Sequence, residues 1–163
     1  MSKTHIPTKP RFDSLQQEVF LNLWRTYDRL KLIEDEVFAQ EGISAQQYNT
    51  LRVLRSVYPD SMQTLELGRR LITRAPDITR LIDRLEERGL LERERKNENR
   101  RVVEVRIVSA GIKLLERIHE SVQACHHRQL GHMSDASLNQ LARLLKQARG
   151  PHENLNSPTF LDK

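Results

Sequence analysis

A single cysteine, Cys125, stands in the 163-residue chain, which excludes an intramolecular disulfide framework and a zinc ribbon, since both need several thiols. With no disulfide to protect, the cytoplasm is the expected compartment. Long apolar runs are missing too: no stretch approaches the ~20 residues that cross a bilayer, so no membrane partner is expected. The segment from Met1 to Arg11 lacks the apolar centre of a signal peptide. There is no glycine-rich phosphate loop and no nucleophile beside a base, so neither an enzyme nor a cofactor is expected. Metal binding would draw on His119, His126, His127 and His132. The middle pair, adjacent on a helix, diverges by about 100° and no carboxylate cluster accompanies it, so no metal site is expected.

What is present suits one domain with helical extensions: 37% of residues are hydrophobic, enough to bury a core. Charge is dense and mixed, 27 Lys and Arg against 22 Asp and Glu, and the formal net charge of +5 permits a polyanion partner without requiring one. Residues 1–11, with Pro7 and Pro10, and residues 150–163, with Gly150, Pro151 and Pro158, read as poorly ordered tails.

Between the tails the pattern is mainly α. Leu15, Val19, Leu23, Tyr27, Leu30 and Val37 form one apolar stripe, predicting a long helix within 12–42 that Gly42 ends. Ser44 and Gln47 make a capping-box signature for a second helix through Tyr48, Leu51, Leu54 and Val57, stopped by Pro59. A third helix is expected from Thr64 as N-cap, through Leu65, Leu67 and Leu71. A fourth is expected over roughly Arg74 to Arg88, with Thr73 as N-cap, Pro76 tolerated in its first turn, Ile78, Leu81, Ile82 and Leu85 inward, and Gly89 as the stop. The period then changes. Leu91, Arg93 and Arg95, and then Val103, Val105 and Ile107, alternate as two strands of a small β-hairpin whose tip, Lys96 to Arg101, is wholly polar. Ser109 is read as the cap of a long fifth helix with Ile112, Leu115, Ile118, Val122 and Cys125, and Ser134 as the cap of a sixth with Leu138, Leu141, Leu144 and Leu145.

Two helices joined by a short turn, the second followed by a cationic hairpin, give the order of a winged helix-turn-helix, spanning 43–108. A helix fits the major groove of double-stranded DNA, its first turns meet base edges, and hairpin cations follow the backbone or enter the minor groove. On the fourth helix Arg74, Thr79 and Arg80 would face the groove, with Asp77 and Arg84 beside them. The bland alternative is a solvated face on which Asp77 and Asp83 satisfy the arginines. The polar hairpin tips the reading toward DNA. The contact set is then Thr73, Arg74, Pro76, Asp77, Thr79, Arg80, Arg84, Arg95, Lys96, Arg100 and Arg101.

The stretch ELGRRLITRAPDITRLIDRLEERGLLERERKNENRRVVEVRIVSAGIKLLE, Glu66 to Glu116, resembles the DNA-binding core of the MarR family of regulators, most clearly in ITRLIDRLEERGLLER. VSAG, Val108 to Gly111, is similar to that family's Leu-Thr-x-x-Gly junction. The wing departs from the family's Asp-Arg-Arg: Asn99 precedes Arg100 and Arg101, and an amide cannot form the charge-assisted pair that orients a wing arginine. The resemblance implies a sequence-specific regulator, most often a repressor, and a homodimer built through the terminal helices, 12–42 and 109–149. Their apolar stripes exceed what one small winged domain covers, and Phe12, Phe20, Leu138, Leu141 and Leu145 are the expected contacts. The two reading helices would sit ~34 Å apart on an inverted repeat. The resemblance further implies release of DNA by a small aromatic effector, for which Trp24, Tyr27, Tyr48, Arg52 and His119 are the candidate lining. Cys125 falls on the apolar face of its helix, where burial suppresses thiolate chemistry. The competing class is a non-specific architectural DNA-binding protein using the same fold.

Overall fold

In the computed structural model, residues 11–73, 77–95 and 102–153 are described, apart from the Arg95 side chain. The order is α1 (Leu15–Gln40), α2 (Ala45–Arg55), β1 (Met62–Gln63), α3 (Thr64–Arg70), α4 (Ile78–Glu87), β2 (Leu91–Arg95), β3 (Val103–Ile107), α5 (Ser109–Arg117), α6 (His119–Leu130) and α7 (Asp135–Arg149). Ser14 opens α1 by accepting from the Gln17 amide. A Schellman turn closes it: Gly42, at φ +64°, donates to Ala39, and the Ile43 amide donates to Phe38. Ile43 and Phe38, the two ends of that turn, are both buried in the core. The expected capping box of Ser44 and Gln47 opens α2, both bonds being present.

Three expected helix caps are corrected, those of α3, α4 and α5. The residue before α3 is Gln63, and Thr64 instead donates its hydroxyl to the Val103 carbonyl at 3.0 Å, tying α3 to the sheet. α4 starts later than expected: Asp77, not Thr73, is its N-cap, its carboxylate accepting from the Arg80 amide at 3.0 Å. Asp immediately ahead of the first inward apolar residue, Ile78, completes the first turn better than a hydroxyl several residues upstream. Arg74 and Pro76 lie outside the described residues. Gly89 stops the helix at φ +65°, as expected.

The hairpin forms with Leu91 opposite Ile107 and Arg93 opposite Val105. β1 adds a third strand on the other edge of β3, Met62 opposite Val105, giving the antiparallel order β1-β3-β2. At two residues it carries no period a sequence could show. Leu51, Leu54, Leu67, Ile82, Leu85, Leu91, Ile107 and Ile118 are fully buried together, each contributing about 1.5–3 kcal/mol of apolar burial.

The expected fifth helix is two, α5 and α6, meeting at Ile118, and Ser109 is the first helical residue, with Val108 at the cap position and no side-chain cap bond. Gly111 packs α5 onto the hairpin so tightly that a Cβ there would run into the Leu90 carbonyl oxygen and the Ile107 side chain. Ser134 caps α7 through the Ser137 amide. α7 continues into a short 3-10 turn, Gly150–His152, where a tail is expected, and Arg149 bonds Glu153 at 2.7 Å.

Candidate nucleic-acid interface

α4 leans on the core through Leu81, Ile82 and Leu85, which turns Thr79, Arg80 and Arg84 outward, all exposed. Its approach to α3 is close: a Cβ on Gly68 would stand 3.2 Å from the Ile78 side chain. The two acids that could have satisfied α4's outer arginines behave differently. Asp77 reaches Arg80 only at 3.5 Å with both groups well exposed, a pair worth about 0–1 kcal/mol and readily exchanged for a phosphate or a base. Asp83 is taken by Arg93.

Arg93 stands on β2, absent from the expected contact set, and joins the hairpin to α4. Its guanidinium donates to Asp83 and Glu86 and to the Thr79 carbonyl at 3.4 Å, while its own amide donates to Glu86 at 3.0 Å. Burial alone would lower its pKa, but the two carboxylates raise it above the usual arginine value. The sequence holds a signal for this link: an arginine among the alternating residues just after a helix whose outer face carries Asp83 and Glu86. On the other side of the sheet Glu104 is buried and accepts from Ser61, fixing β3 to the segment entering α3. Across the hairpin, Arg106 pairs with Glu92, its register partner.

Of the remaining expected contacts, Thr73 is exposed ahead of α4 and Arg95 ends β2. Lys96, Arg100 and Arg101 lie outside the described residues. Leu65 on α3 is 66% exposed and lines a groove with Gln63, Thr64, Thr79, Ile82, Arg93, Val102 and Val103.

The five candidate effector residues separate. Trp24 and Tyr27 share an exposed apolar face of α1 with Phe20 and Leu23. Tyr48 stacks on Phe38 with ring centroids 4.7 Å apart and accepts from Arg52 at 3.1 Å. His119 is exposed at the start of α6. The expected dimer contacts lie on uncovered surface: Phe20 is 62% exposed, Phe12, Leu138, Leu141 and Leu145 are half-buried, and α7 contributes no buried residue. Cys125 is buried, and burial raises its thiol pKa above the usual value. No helix among the described residues is long and apolar enough to cross a membrane.

Comparison with known proteins agrees with this geometry. Residues 43–103, from the α2 cap to β3, match the MarR family model. A MarR transcription factor from Planctomyces limnophilus is 60% identical in sequence, with a TM-score of 0.67, covering 84% of this chain and 99% of its own. The HTH-type transcriptional repressor IacR of Pseudomonas putida is 24% identical over 88% of this chain and 86% of its own length. A mutant MarR from E. coli, solved with operator DNA, shares the fold with a TM-score of 0.73 at 23% identity, over 83% of this chain and 99% of its own. A winged helix-turn-helix flanked by long terminal helices, matched at 60% identity over nearly the full length of a solved relative, places this chain in the MarR family of transcription regulators.

Proposed function

We propose that the chain is a sequence-specific transcriptional repressor that binds an inverted-repeat operator in double-stranded DNA as a homodimer and is released by a small aromatic ligand. The observation that carries the reading is the outer face of α4. Thr79, Arg80 and Arg84 are exposed there, Asp83 and Glu86 are engaged by Arg93 from the hairpin, and Asp77 meets Arg80 only at 3.5 Å in an exposed pair. A helix so prepared offers bidentate guanidinium donors to guanine edges or phosphates. The names of the relatives support a repressor, and the operator complex of the E. coli protein supports DNA as the partner. The uncovered faces of α1 and α7 support a second copy. For the ligand, support comes from a structural relative, BpsR of Bordetella bronchiseptica, described by its regulation by 6-hydroxynicotinic acid.

Selection of bound fragments from a random duplex library tests the reading. Enrichment of an inverted repeat bound roughly 1,000-fold more tightly than scrambled DNA at fixed salt supports it. Equal, steeply salt-sensitive binding to all DNA would replace it with the architectural alternative. Arg100→Ala with Arg101→Ala should flatten the salt dependence by about one log unit per lost phosphate contact, and an unchanged slope removes the wing from the interface.

A further inference from the structure

The end of α1 is gripped from two directions. Arg88, the C-cap of α4, donates to the Gly42 carbonyl at 2.7 Å and to the Glu41 carbonyl at 3.5 Å. Arg117, in the last turn of α5, donates to the Glu41 carboxylate at 2.8 and 3.2 Å. The Schellman turn uses only the carbonyls of Phe38 and Ala39, so the later carbonyls at the negative end of the α1 dipole point outward as acceptors for a cation. A 26-residue helix with one buried residue leads into α2 through a three-residue elbow, 41–43, and arginines from α4 and α5 reach across to that elbow.

We infer that Arg88 and Arg117 are positioning residues that fix the angle between α1 and α4, and through it the separation of the two reading helices. The inference rests on the dimeric reading proposed above. Arg117 lies on α5, and Arg88, one turn beyond Arg84 at the far end of α4, turns its guanidinium back to the carbonyls of the elbow. Without the clamp the elbow keeps its Schellman bonds and its buried Ile43 and Phe38, so each chain stays folded while α4 swings more widely relative to α1. In a dimer, that freedom is felt only by DNA that engages both helices at once, because a rigid pair reads one spacing and a loose pair reads several.

Two measurements test it, one without DNA. Spin labels at Asp28→Cys on α1 and Thr79→Cys on α4, in a Cys125→Ala background and diluted with unlabelled chain, report the angle by pulsed dipolar spectroscopy. Arg88→Met with Arg117→Met should broaden or shift the distance distribution, and Arg88→Lys, which keeps charge but loses the planar fork, should recover it only in part. An unchanged distribution in the double variant overturns the clamp whatever the DNA result. On DNA, the double variant should lose about tenfold in affinity for the selected repeat, the order expected for losing charge-assisted hydrogen bonds. It should lose less on repeats with one base pair added or removed, with binding to scrambled DNA and self-association unchanged. Equal loss on every duplex would make Arg88 and Arg117 phosphate contacts and overturn the positioning role. If the unmodified chain enriches no repeat, the operator reading fails, and the spin-label distances still decide whether the clamp exists.

Discussion

The two halves of this molecule bury their apolar residues by different means. From α2 to β3 the chain closes on itself: Leu51, Val53, Leu54 and Leu67 have no exposed surface, and the sheet supplies Val105 and Ile107 to the same core. In α1 the reverse holds. Phe38 is its one buried residue, while Leu15, Phe20, Trp24 and Tyr27 are each more than half exposed, and α7 buries nothing. Both halves are amphipathic, so amphipathicity alone does not distinguish a core from an interface. The difference lies in whether a second layer covers the apolar face, and among the described residues much of α1 and all of α7 lack one.

The largest break expected of this contrast comes from truncating the closed half. Leu54→Ala should lower stability by about 2–5 kcal/mol, seen as an earlier urea midpoint, because surrounding side chains cannot fill the space. Trp24→Ala carries the opposite signature. It should weaken self-association by about 2 kcal/mol, roughly 30-fold, in sedimentation equilibrium while leaving the helical signal of the chain intact. Unaltered association after that change would show that the Phe20 and Trp24 face, with rings 6.3 Å apart, is not where the copies meet.

A smaller effect probes the link between α4 and the hairpin. Arg93→Met leaves Asp83 and Glu86 without their partner and should cost about 1–2 kcal/mol. Adding Asp83→Asn and Glu86→Gln should recover part of that loss, since the penalty comes from the stranded carboxylates as much as from the missing bonds. Failure of this rescue would reduce Arg93 to a packing residue.

Local chemistry made much of this legible in the sequence. The Ser44 capping box, the Gly42 and Gly89 stops, the hairpin and the inward face of α4 all follow from residues within a turn of one another. Asp77 was legible as well, but Thr73 competes with it on propensity, and only the packing of Ile78 against α3 decides between them. The features that escaped depend on distant partners. β1 exists because β3 has an open edge, α5 separates from α6 at Ile118, and Arg93, Arg88 and Arg117 acquire roles from acids or carbonyls brought to them by the fold. The resemblance to the family fixed the order of elements. It did not indicate that the five aromatic and polar candidates for an effector would divide between the open face of α1, the Tyr48 and Arg52 pair, and an exposed His119.

The smallest expected effect lies on the seam where α1 packs against α6, outside the closed half. Glu34 is half-buried there, and burial raises its carboxyl pKa above the usual value of 4.5; neighbouring Asp35 adds to the rise, while His126 and Lys31 oppose it. The folded chain therefore holds this proton to higher pH than the unfolded chain does. Its contribution favours the fold fully at pH below the ordinary glutamate value and is lost as pH rises through the raised one. Glu34→Gln removes that dependence, and because the desolvation penalty disappears with the charge, the variant should gain about 0.5 kcal/mol or less at neutral pH. Urea midpoints of both proteins across the acidic range should diverge toward neutrality and converge in acid. A variant less stable than the parent toward neutrality would instead mean that attraction to His126 outweighs burial, and that the α1 and α6 seam is held by charge where the closed half is held by packing.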